Sequence, residues 1–391
     1  MWDYLFNSRK ILSRDRYPWI DYARGICIIL VSYRHFFSGV MTSDQAMAQY
    51  PTLSYLNIFF FSFRMPLFFI VSGVFLRLSL NAKGTGNFLK NRAQTIFYPL
   101  IVWGIIHISL QLIFADYVNA DRVPSDYLRL LYQPRAIEQF WYLNALFFVS
   151  ILYALISVYA RFTAINQLVL GVLLYGVAAY LHANEIETGL ITDVCFFYFF
   201  FAVGDMISGF MLNPANFKKL ASYKILLLIL PVFILIQHYF TYLNLTNKND
   251  YYVQNYQPVL FALAALLGGG FVIGVSFLLQ KTNKLRFLRV IGYHSLYIYV
   301  ANLIVTASVR ILFVKVLNIN NIPFLLIVGS IAGVIIPIIF YNIVVKAGAW
   351  WLYTMDKPRG SKKISGNGKA PAATAMIGKM PIPIVQNETR Q

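Results

Sequence analysis

The feature that most constrains this sequence is a succession of ten long, mainly apolar segments separated by polar ones. They cover approximately residues 19–40, 57–79, 93–114, 139–160, 165–183, 191–212, 223–243, 257–279, 288–309 and 323–346. The hydrocarbon core of a bilayer is about 30 Å thick, and about 20 residues of α-helix cross it. Because lipid offers no hydrogen-bond partner to the backbone, each segment is expected to be helical. The sequence therefore predicts an all-α integral membrane protein, a bundle of about ten transmembrane helices.

The overall composition agrees with burial in lipid. Hydrophobic residues make up 59% of the 391 residues and charged residues 12%, whereas about a quarter of the residues of soluble proteins are charged. A net charge of +18 is compatible with binding to nucleic acid or with membrane topology, and the positions of the basic residues decide between the two. Cys27 and Cys195 both lie inside apolar segments and are expected to be buried thiols.

The basic residues are distributed unevenly between the two sides of the predicted bundle. With a cytoplasmic N-terminus, 24 of the 33 lysines and arginines fall in inner segments and six in outer loops. The first inner segment holds Arg9, Lys10, Arg14 and Arg16. Inner loops of membrane proteins are enriched in lysine and arginine, and an even number of spans keeps the basic C-terminal segment inside. The pattern predicts both termini in the cytoplasm, a lipid bilayer as partner and no nucleic acid.

Three regions are expected along the chain. Residues 1–18 form a cytoplasmic N-terminal segment, residues 19–346 the transmembrane domain, and residues 347–391 a cytoplasmic tail. The tail is rich in Lys, Gly, Ala and Pro from about residue 357, a composition typical of disorder. The longest outer connection, about 115–138, carries both acidic and basic residues. It is equally compatible with contact to a polar external partner and with a solvated loop.

The first apolar segment contains several ionisable residues, and such residues inside a span are functional candidates because charge in hydrocarbon is costly. Arg24 and His35 are eleven residues apart, which places them about 20° apart around a helix and about 16 Å apart along it. Asp21 and Ser38 fall on nearly the same face. Arg34 lies about 100° away and is expected to extend toward the outer interface. One face of this helix is therefore predicted to be polar and to point into the bundle.

The second segment runs in the opposite direction, so Arg64 is expected near the depth of His35 and Ser72 nearer to Arg24. Such a polar track suits acyl transfer from a cytosolic thioester to an acceptor at the outer side. His35 is the candidate general base, because burial and neighbouring positive charge favour its neutral form. Arg64 is the candidate for stabilising a tetrahedral oxyanion. Arg24 faces the donor, where its planar guanidinium suits a phosphate or amide carbonyls.

Five segments, taken in order, resemble the membrane-bound acyltransferase 3 family, whose members acylate surface polysaccharides, periplasmic glucans, antibiotics and lipid-linked sugars. These segments are WIDYARGICIILVSYRHF, FRMPLFFIVSGVFL, FLKNRAQTIFYPLIVW, QFWYLNALFF and IGYHSLYIYV. The resemblance implies an O-acyltransferase of the cell envelope, in a bacterial inner membrane, that uses acyl-CoA, and acetyl-CoA in particular, as its donor. Its acceptor is expected to be a carbohydrate or lipid-linked sugar. It also implies that His35 and Arg64 are catalytic, that Arg24, Ser72 and Arg92 bind the donor, and that Trp141 lies near the acceptor.

Two positions depart from the family pattern. A second arginine is common three residues after the position of Arg92, where this chain has Thr95, and a histidine is common where this chain has Asn302. Both departures concern the donor site and leave the proposed base in place. Trp141 has a second interpretation, because tryptophan at the outer end of a span is often an interfacial belt residue.

No metal site is predicted. His107, His182, His238 and His294 lack carboxylate or cysteine partners at the spacing of metal ligands. Two other functions remain open. A polar track through ten helices also suits a transporter or flippase, and a family member without catalysis would act as an assembly factor for surface polysaccharide. The presence of both Arg24 and His35 favours the enzyme.

Overall fold

The structure is a computed structural model, and it describes residues 2–13, 17–41, 49–117 and 120–356. These residues form helices and connections, with no strand among them. The long helices are α1 Pro18–Val40, α2 Pro51–Lys83, α3 Thr85–Ile113, α4 Trp141–Tyr159, α5 Ala164–Ala183, α6 Leu190–Leu212, α7 Tyr223–Thr246, α8 Pro258–Thr282, α9 Ser295–Val316 and α10 Ile322–Lys346. Arg14, Arg16 and the tail predicted to be disordered from about 357 lie outside the described residues.

Nine helices in the described ranges are long and apolar enough to cross a membrane, and they correspond to nine of the predicted spans. The remaining predicted span is α1, which has 23 residues and therefore the necessary length. It carries Asp21, Arg24, Arg34 and His35, and α2, α8, α9 and α10 all pack against it. A polar helix is tolerated at this position because its neighbours, not lipid, surround it. The chain is a multi-pass, all-α membrane protein.

Several helices extend beyond the predicted apolar segments. α2 was expected over 57–79 and spans Pro51–Lys83, with irregular turns at Phe60 and Phe75. Its ends are set by Pro51, which is favourable in a first helical turn, and by Gly84, whose φ of 72° stops the helix. The predicted boundaries were too short because local backbone chemistry, not apolarity, determines where a helix begins and ends.

The ninth span is divided. The apolar segment predicted at 288–309 forms a short helix, Phe287–Tyr293, followed by α9. His294 lies at the break, where its Nδ1 is 2.8 Å from the Val290 carbonyl oxygen and its Nε2 is 3.2 Å from Asn342 Nδ2. The imidazole therefore has a structural role in joining this turn to α10.

α2 and α6 approach each other closely through two glycines. A Cβ atom added at Gly73 would overlap the carbonyl oxygen of Phe201, and one added at Gly204 would overlap that of Ile70. Both obstructions are backbone atoms, which cannot rotate away as a side chain can. This contact holds α2, and with it Arg64 and Ser72, at a fixed position in the bundle.

Candidate active site

His35 faces a cavity of about 810 Å³ that lies between α1, α3, α9 and the connection from α3 to α4. The residues that line the cavity are His35, Phe36, Ser38, Gly39, His107, Leu110, Gln111, Phe114, Tyr117, Glu138, Leu303, Ile304, Thr306, Ala307, Ser308, Arg310, Ile311, Leu312 and Val316. Its volume is within the range of small-molecule sites. We call the end of the bundle that contains this cavity the His35 end, and the opposite end the Arg24 end.

A carboxylate network lies in this cavity beside His35. Glu138 Oε2 is 3.0 Å from His107 Nε2, and Glu138 Oε1 accepts from Gln111 Nε2 at 3.2 Å and lies 3.2 Å from Arg122 Nη2. Since an ionised carboxylate only accepts hydrogen bonds, His107 Nε2 carries the proton in this pair. The charge of Glu138 also acts on His35. The cavity therefore combines two imidazoles with one well-anchored carboxylate.

The backbone at Glu138 is unusual. Its φ of 51° and ψ of −118° interrupt the helical turns of Pro134–Phe140, and a residue other than glycine in such a conformation costs about 1–3 kcal/mol. The strain is balanced locally, because Arg122 binds the Glu138 carboxylate on one side and donates to the Ala136 carbonyl oxygen at 2.6 Å on the other. The connection is therefore a folded segment that directs one carboxylate into the cavity.

Arg64 is almost completely buried, with 3% of its surface exposed. Its two terminal nitrogens donate to the carbonyl oxygens of Leu30 at 3.0 Å and of Asn57 at 3.3 Å, and its guanidinium lies 5.3 Å from the centre of the Phe61 ring. Leu30 precedes His35 by five residues, or about 7.5 Å along the helix. Arg64 thus lies deeper in the bundle than the cavity wall, and within the described residues backbone carbonyls accept two of its five N–H groups.

Arg34 extends toward the His35 end, as expected, and there it meets a protein carboxylate. Its Nη1 lies 2.6 Å from Asp250 Oδ2, in the connection between α7 and α8, and the guanidinium is 5.9 Å from the Phe61 ring centre. The pair neutralises a charge beside the cavity. Arg34 therefore anchors α1 to α7 and α8 and does not line the cavity.

Arg24 and Arg92 lie near each other at the Arg24 end, and the charges of both act on the Tyr142 hydroxyl. Arg92 also lies over the Phe88 ring, with its guanidinium carbon 5.0 Å from the ring centre. Ser72 is buried one helical turn after Phe68, whose ring is 5.5 Å from that of Tyr142. The structure therefore brings two of the predicted donor-binding residues, Arg24 and Arg92, near a tyrosine that the sequence did not single out.

Cys27 lies between the two ends of the bundle. Its side chain is fully buried on α1, and it lies within electrostatic range of both Tyr142 and Arg64. Arg64 in turn lies within such range of His35. Cys27 and Arg64 therefore lie between the arginine pair and the cavity.

Trp141 does not line the cavity. The guanidinium carbon of Arg135 lies 4.4 Å from its ring centre, and the Phe197 ring centre is 5.2 Å away. Arg135 is held there by Asp193, with Nη2 2.7 Å from Oδ1. Trp141 is therefore packed into an arginine–aromatic stack, and its contact with an acceptor stays a prediction.

Asn302, at the position where the family pattern has histidine, ties three helices together. Its Nδ2 donates to Ser32 Oγ at 2.8 Å and to the Gly333 carbonyl oxygen at 2.9 Å. Ser32 lies on α1, one turn before His35. The substitution thus provides a neutral hydrogen-bonded support for α1 at this depth.

Glu138, His107 and Tyr142 are the site residues that sequence reasoning missed. A signal existed for Glu138 and Tyr142, since both adjoin or belong to the QFWYLNALFF segment. His107 lies 31 residues before Glu138, and its partnership with a carboxylate needs the fold. Across the described ranges, no group of three or more His, Cys, Asp and Glu residues is arranged to hold a metal ion.

Comparison with known proteins adds a family assignment. The profile of the acyltransferase domain matches residues 17–342. A segment of 88 residues is 32% identical to "Inner membrane protein YcfT" of Escherichia coli (strain K12), and it covers 21% of this chain and 25% of that relative. No solved structure matches the chain.

Proposed function

Since the chain belongs to the acyltransferase-domain family, we propose that it is a membrane O-acyltransferase. It transfers an acyl group, which we propose to be acetyl, from acyl-CoA to a hydroxyl of a carbohydrate or glycolipid. The observation that carries this proposal is that His35 lines a cavity at one end of the bundle while Arg24 and Arg92 lie near each other at the other end. An imidazole base at one end and paired guanidinium groups at the other suit an acceptor and a polyanionic donor, respectively.

The donor enters at the Arg24 end. Most basic residues belong to the segments on this side of the bundle, which makes it the cytoplasmic side by the positive-inside rule. Arg24 and Arg92, close to each other, provide two guanidinium forks for the phosphates or amide carbonyls of coenzyme A. Ser72 and Tyr142 add hydroxyl groups to this region. The thioester then extends inward past Cys27 toward Arg64.

The acceptor hydroxyl occupies the cavity at the His35 end. Its proton moves to a ring nitrogen of His35 as its oxygen attacks the thioester carbonyl carbon. Arg64 stabilises the oxyanion of the tetrahedral intermediate with the N–H groups that the backbone does not use. The carbon–sulfur bond then breaks, and the departing thiolate takes the proton from the His35 imidazolium. The products are an ester and coenzyme A, and His35 returns to its neutral form.

Glu138 positions the acceptor and stabilises charge. Its carboxylate accepts a hydroxyl hydrogen bond from a sugar while Gln111 and Arg122 hold it in place. Its negative charge also favours the imidazolium that forms on His35 during the reaction. Glu138 therefore orients the acceptor and stabilises charge, and His35 is the residue that accepts and releases the proton.

The test is acyl transfer by purified protein in nanodiscs, followed with radiolabelled acetyl-CoA and octyl β-glucoside as a carbohydrate acceptor. His35→Ala is expected to lower the rate by about 10³-fold, within the range of a general base. His238→Ala is the matched control, because His238 is exposed, is hydrogen-bonded to Tyr55 at 2.8 Å and does not line the cavity. Equal rates for the native protein and His35→Ala, with acetyl-CoA consumed by both, would overturn the role of His35. Absence of acetyl-CoA binding and consumption in the native protein would overturn the enzyme.

Two interrupted helices favour transport as a second candidate. α2 is irregular at Phe60 and Phe75, and the ninth span is divided at His294, and discontinuous helices are common in transporters. Proteoliposomes that exchange labelled octyl glucoside without acetyl-CoA, at a rate unchanged by His35→Ala, would support this function. A non-catalytic assembly factor would show neither exchange nor acetyl transfer.

A further inference from the structure

Arg310 lies on α9 beside the cavity, close to His35. The ideal Cβ position of Gly39 is 3.8 Å from Arg310 Cδ and 3.9 Å from its Nε. Gly39 follows His35 by four residues, which is one helical turn or about 6 Å. Arg310 lines both the 810 Å³ cavity and a neighbouring one of about 490 Å³. Its guanidinium is therefore available to a ligand whose reacting hydroxyl is at His35.

Arg310 differs from the other arginines at the His35 end, which are paired with carboxylates. The pairs are Arg34 with Asp250 at 2.6 Å, Arg122 with Glu138 at 3.2 Å, Arg129 with Asp126 at 3.1 Å and Arg135 with Asp193 at 2.7 Å. Arg310 donates to the Tyr117 carbonyl oxygen at 3.4 Å, and within the described part of the chain no carboxylate lies in ion-pair range. A half-buried guanidinium in a cavity wall favours a negatively charged ligand.

The surroundings of Arg310 are apolar. The same cavity is lined by Ile304, Ala307, Ile311 and Leu312 from α9, by Leu110 from α3 and by Phe114, the residue that follows α3. This lining continues to the outside of the bundle, where Phe114 is 50% exposed, Leu312 47% and Val316 64%. In a membrane, such exposed apolar side chains contact lipid. An occupant with both an anionic group and a hydrocarbon part therefore matches this side of the cavity.

The ends of α3 and α9 are bridged beyond the cavity. Tyr117 accepts the hydrogen bond from Arg310, and its ring lies 5.4 Å from Lys315 Nζ. The bridge brings a second positive charge to the same edge. Tyr117 also lines the cavity, so the bridge lies at its edge, beside the apolar residues of α3 and α9.

We propose that Arg310 forms an anion subsite that binds the phosphate of an amphiphilic acceptor, with its hydrocarbon along the apolar seam between α3 and α9. The geometry places the acceptor's sugar hydroxyl at His35, about one helical turn from the phosphate; this part rests on the proposed acyl transfer. A guanidinium binds a phosphate through two parallel hydrogen bonds. The shared chemistry is a phosphate anion, and its source is either a lipid-linked group or a soluble phosphate.

The test measures binding and does not depend on acyl transfer. Purified native protein in micelles of dodecyl maltoside is titrated with radiolabelled dodecyl phosphate, and bound label is measured by scintillation proximity. Unlabelled dodecyl phosphate, dodecanol and inorganic phosphate serve as competitors. The variants are Arg310→Gln and Arg310→Lys, and the matched control is Arg129→Gln, an arginine at the same end with 42% of its side chain exposed.

Native protein and Arg129→Gln are expected to bind dodecyl phosphate alike, with Arg310→Gln weaker by at least about tenfold and Arg310→Lys intermediate. Competition by inorganic phosphate as strong as by dodecyl phosphate would overturn the amphiphilic part of the proposal. Equal binding by native protein and Arg310→Gln would overturn the subsite, even if acetyl transfer by the native protein is observed. If binding depends on Arg310 but no acetyl-CoA is consumed, the subsite stands and the acyltransferase fails.

Discussion

The two ends of the bundle arrange positive charge differently. At the His35 end, most guanidinium groups lie beside carboxylates, as in Arg34 with Asp250 and Arg122 with Glu138, and Arg310 is the exception within the described residues. At the Arg24 end, Arg77 is paired with Asp205, whereas Arg24 and Arg92 lie near each other and their charges repel. An anion that binds near two like charges lowers the cost of holding them close together. The arrangement thus suits a polyanionic substrate at one end and a hydroxyl compound at the other.

The arginines at different positions in the bundle also have different proposed functions. Arg122 shapes the cavity through contacts within the protein, and Arg64 is held by backbone carbonyls while it keeps N–H groups for the reaction. Arg92 lies near Arg24, at the end where the proposed donor binds. Substitutions at these three places should therefore change different kinetic constants, and each of the following predictions tests one part of the comparison.

The largest effect is expected at Arg64, between the two ends. Arg64→Gln removes the positive charge and should lower kcat by about 100-fold or more, the cost of losing one oxyanion donor. The KM for acetyl-CoA should stay within about twofold, because the guanidinium acts on the transition state and not on the bound donor. Initial rates with octyl glucoside as acceptor measure both constants. A rise in the KM for acetyl-CoA with unchanged kcat would assign Arg64 to the donor site.

Because Arg64 is buried, loss of folding must be distinguished from loss of catalysis. Arg64→Lys keeps a positive charge and should recover part of kcat, whereas a folding defect would lower the amount of monodisperse protein in both variants. Arg129→Gln serves as the control for loss of an arginine, since Arg129 is partly exposed and paired with Asp126. Size-exclusion chromatography and thermal unfolding in detergent are measured on all three variants.

A smaller effect is expected at the His35 end. Glu138→Gln keeps the shape and the acceptor oxygen but removes the charge, and it should lower kcat/KM for octyl glucoside by about 30-fold, from the loss of charged hydrogen bonds. The KM for acetyl-CoA should not change. His107→Gln is the companion variant, and the double variant should be no worse than Glu138→Gln, since both changes disrupt one network. Additive losses would show that the two residues act separately.

The helices and the polar face of α1 were predictable because both follow from regular periods. Bilayer thickness sets the length of the apolar segments, and the helical repeat alone places Arg24 and His35 on one face. The sign and position of charges also indicated a polar track. These are properties of one segment at a time, so a single sequence contains them.

The cavity network was not predictable in the same way. Glu138 reaches His107 because the backbone changes direction at Glu138 itself, where φ is 51°, inside the connection from α3 to α4. No periodicity in the sequence indicates that turn. Trp141 similarly depends on a distant partner, since Asp193 on α6 holds Arg135 over its ring. Contacts between side chains far apart in the chain require the packed structure.

The smallest effect is expected at the Arg24 end. Arg92→Gln should raise the KM for acetyl-CoA by about tenfold, the cost of one hydrogen bond to a charged group, with kcat nearly unchanged because the chemistry occurs near His35. Added salt should raise this KM more for the native protein than for the variant. Salt screens the attraction between Arg92 and the donor, which the variant has already lost. Arg161→Gln is the control, because Arg161 is exposed between α4 and α5. If Arg92→Gln lowers kcat and leaves the KM and its salt dependence unchanged, the arginine pair is not the donor site, and the contrast between the two ends needs another explanation.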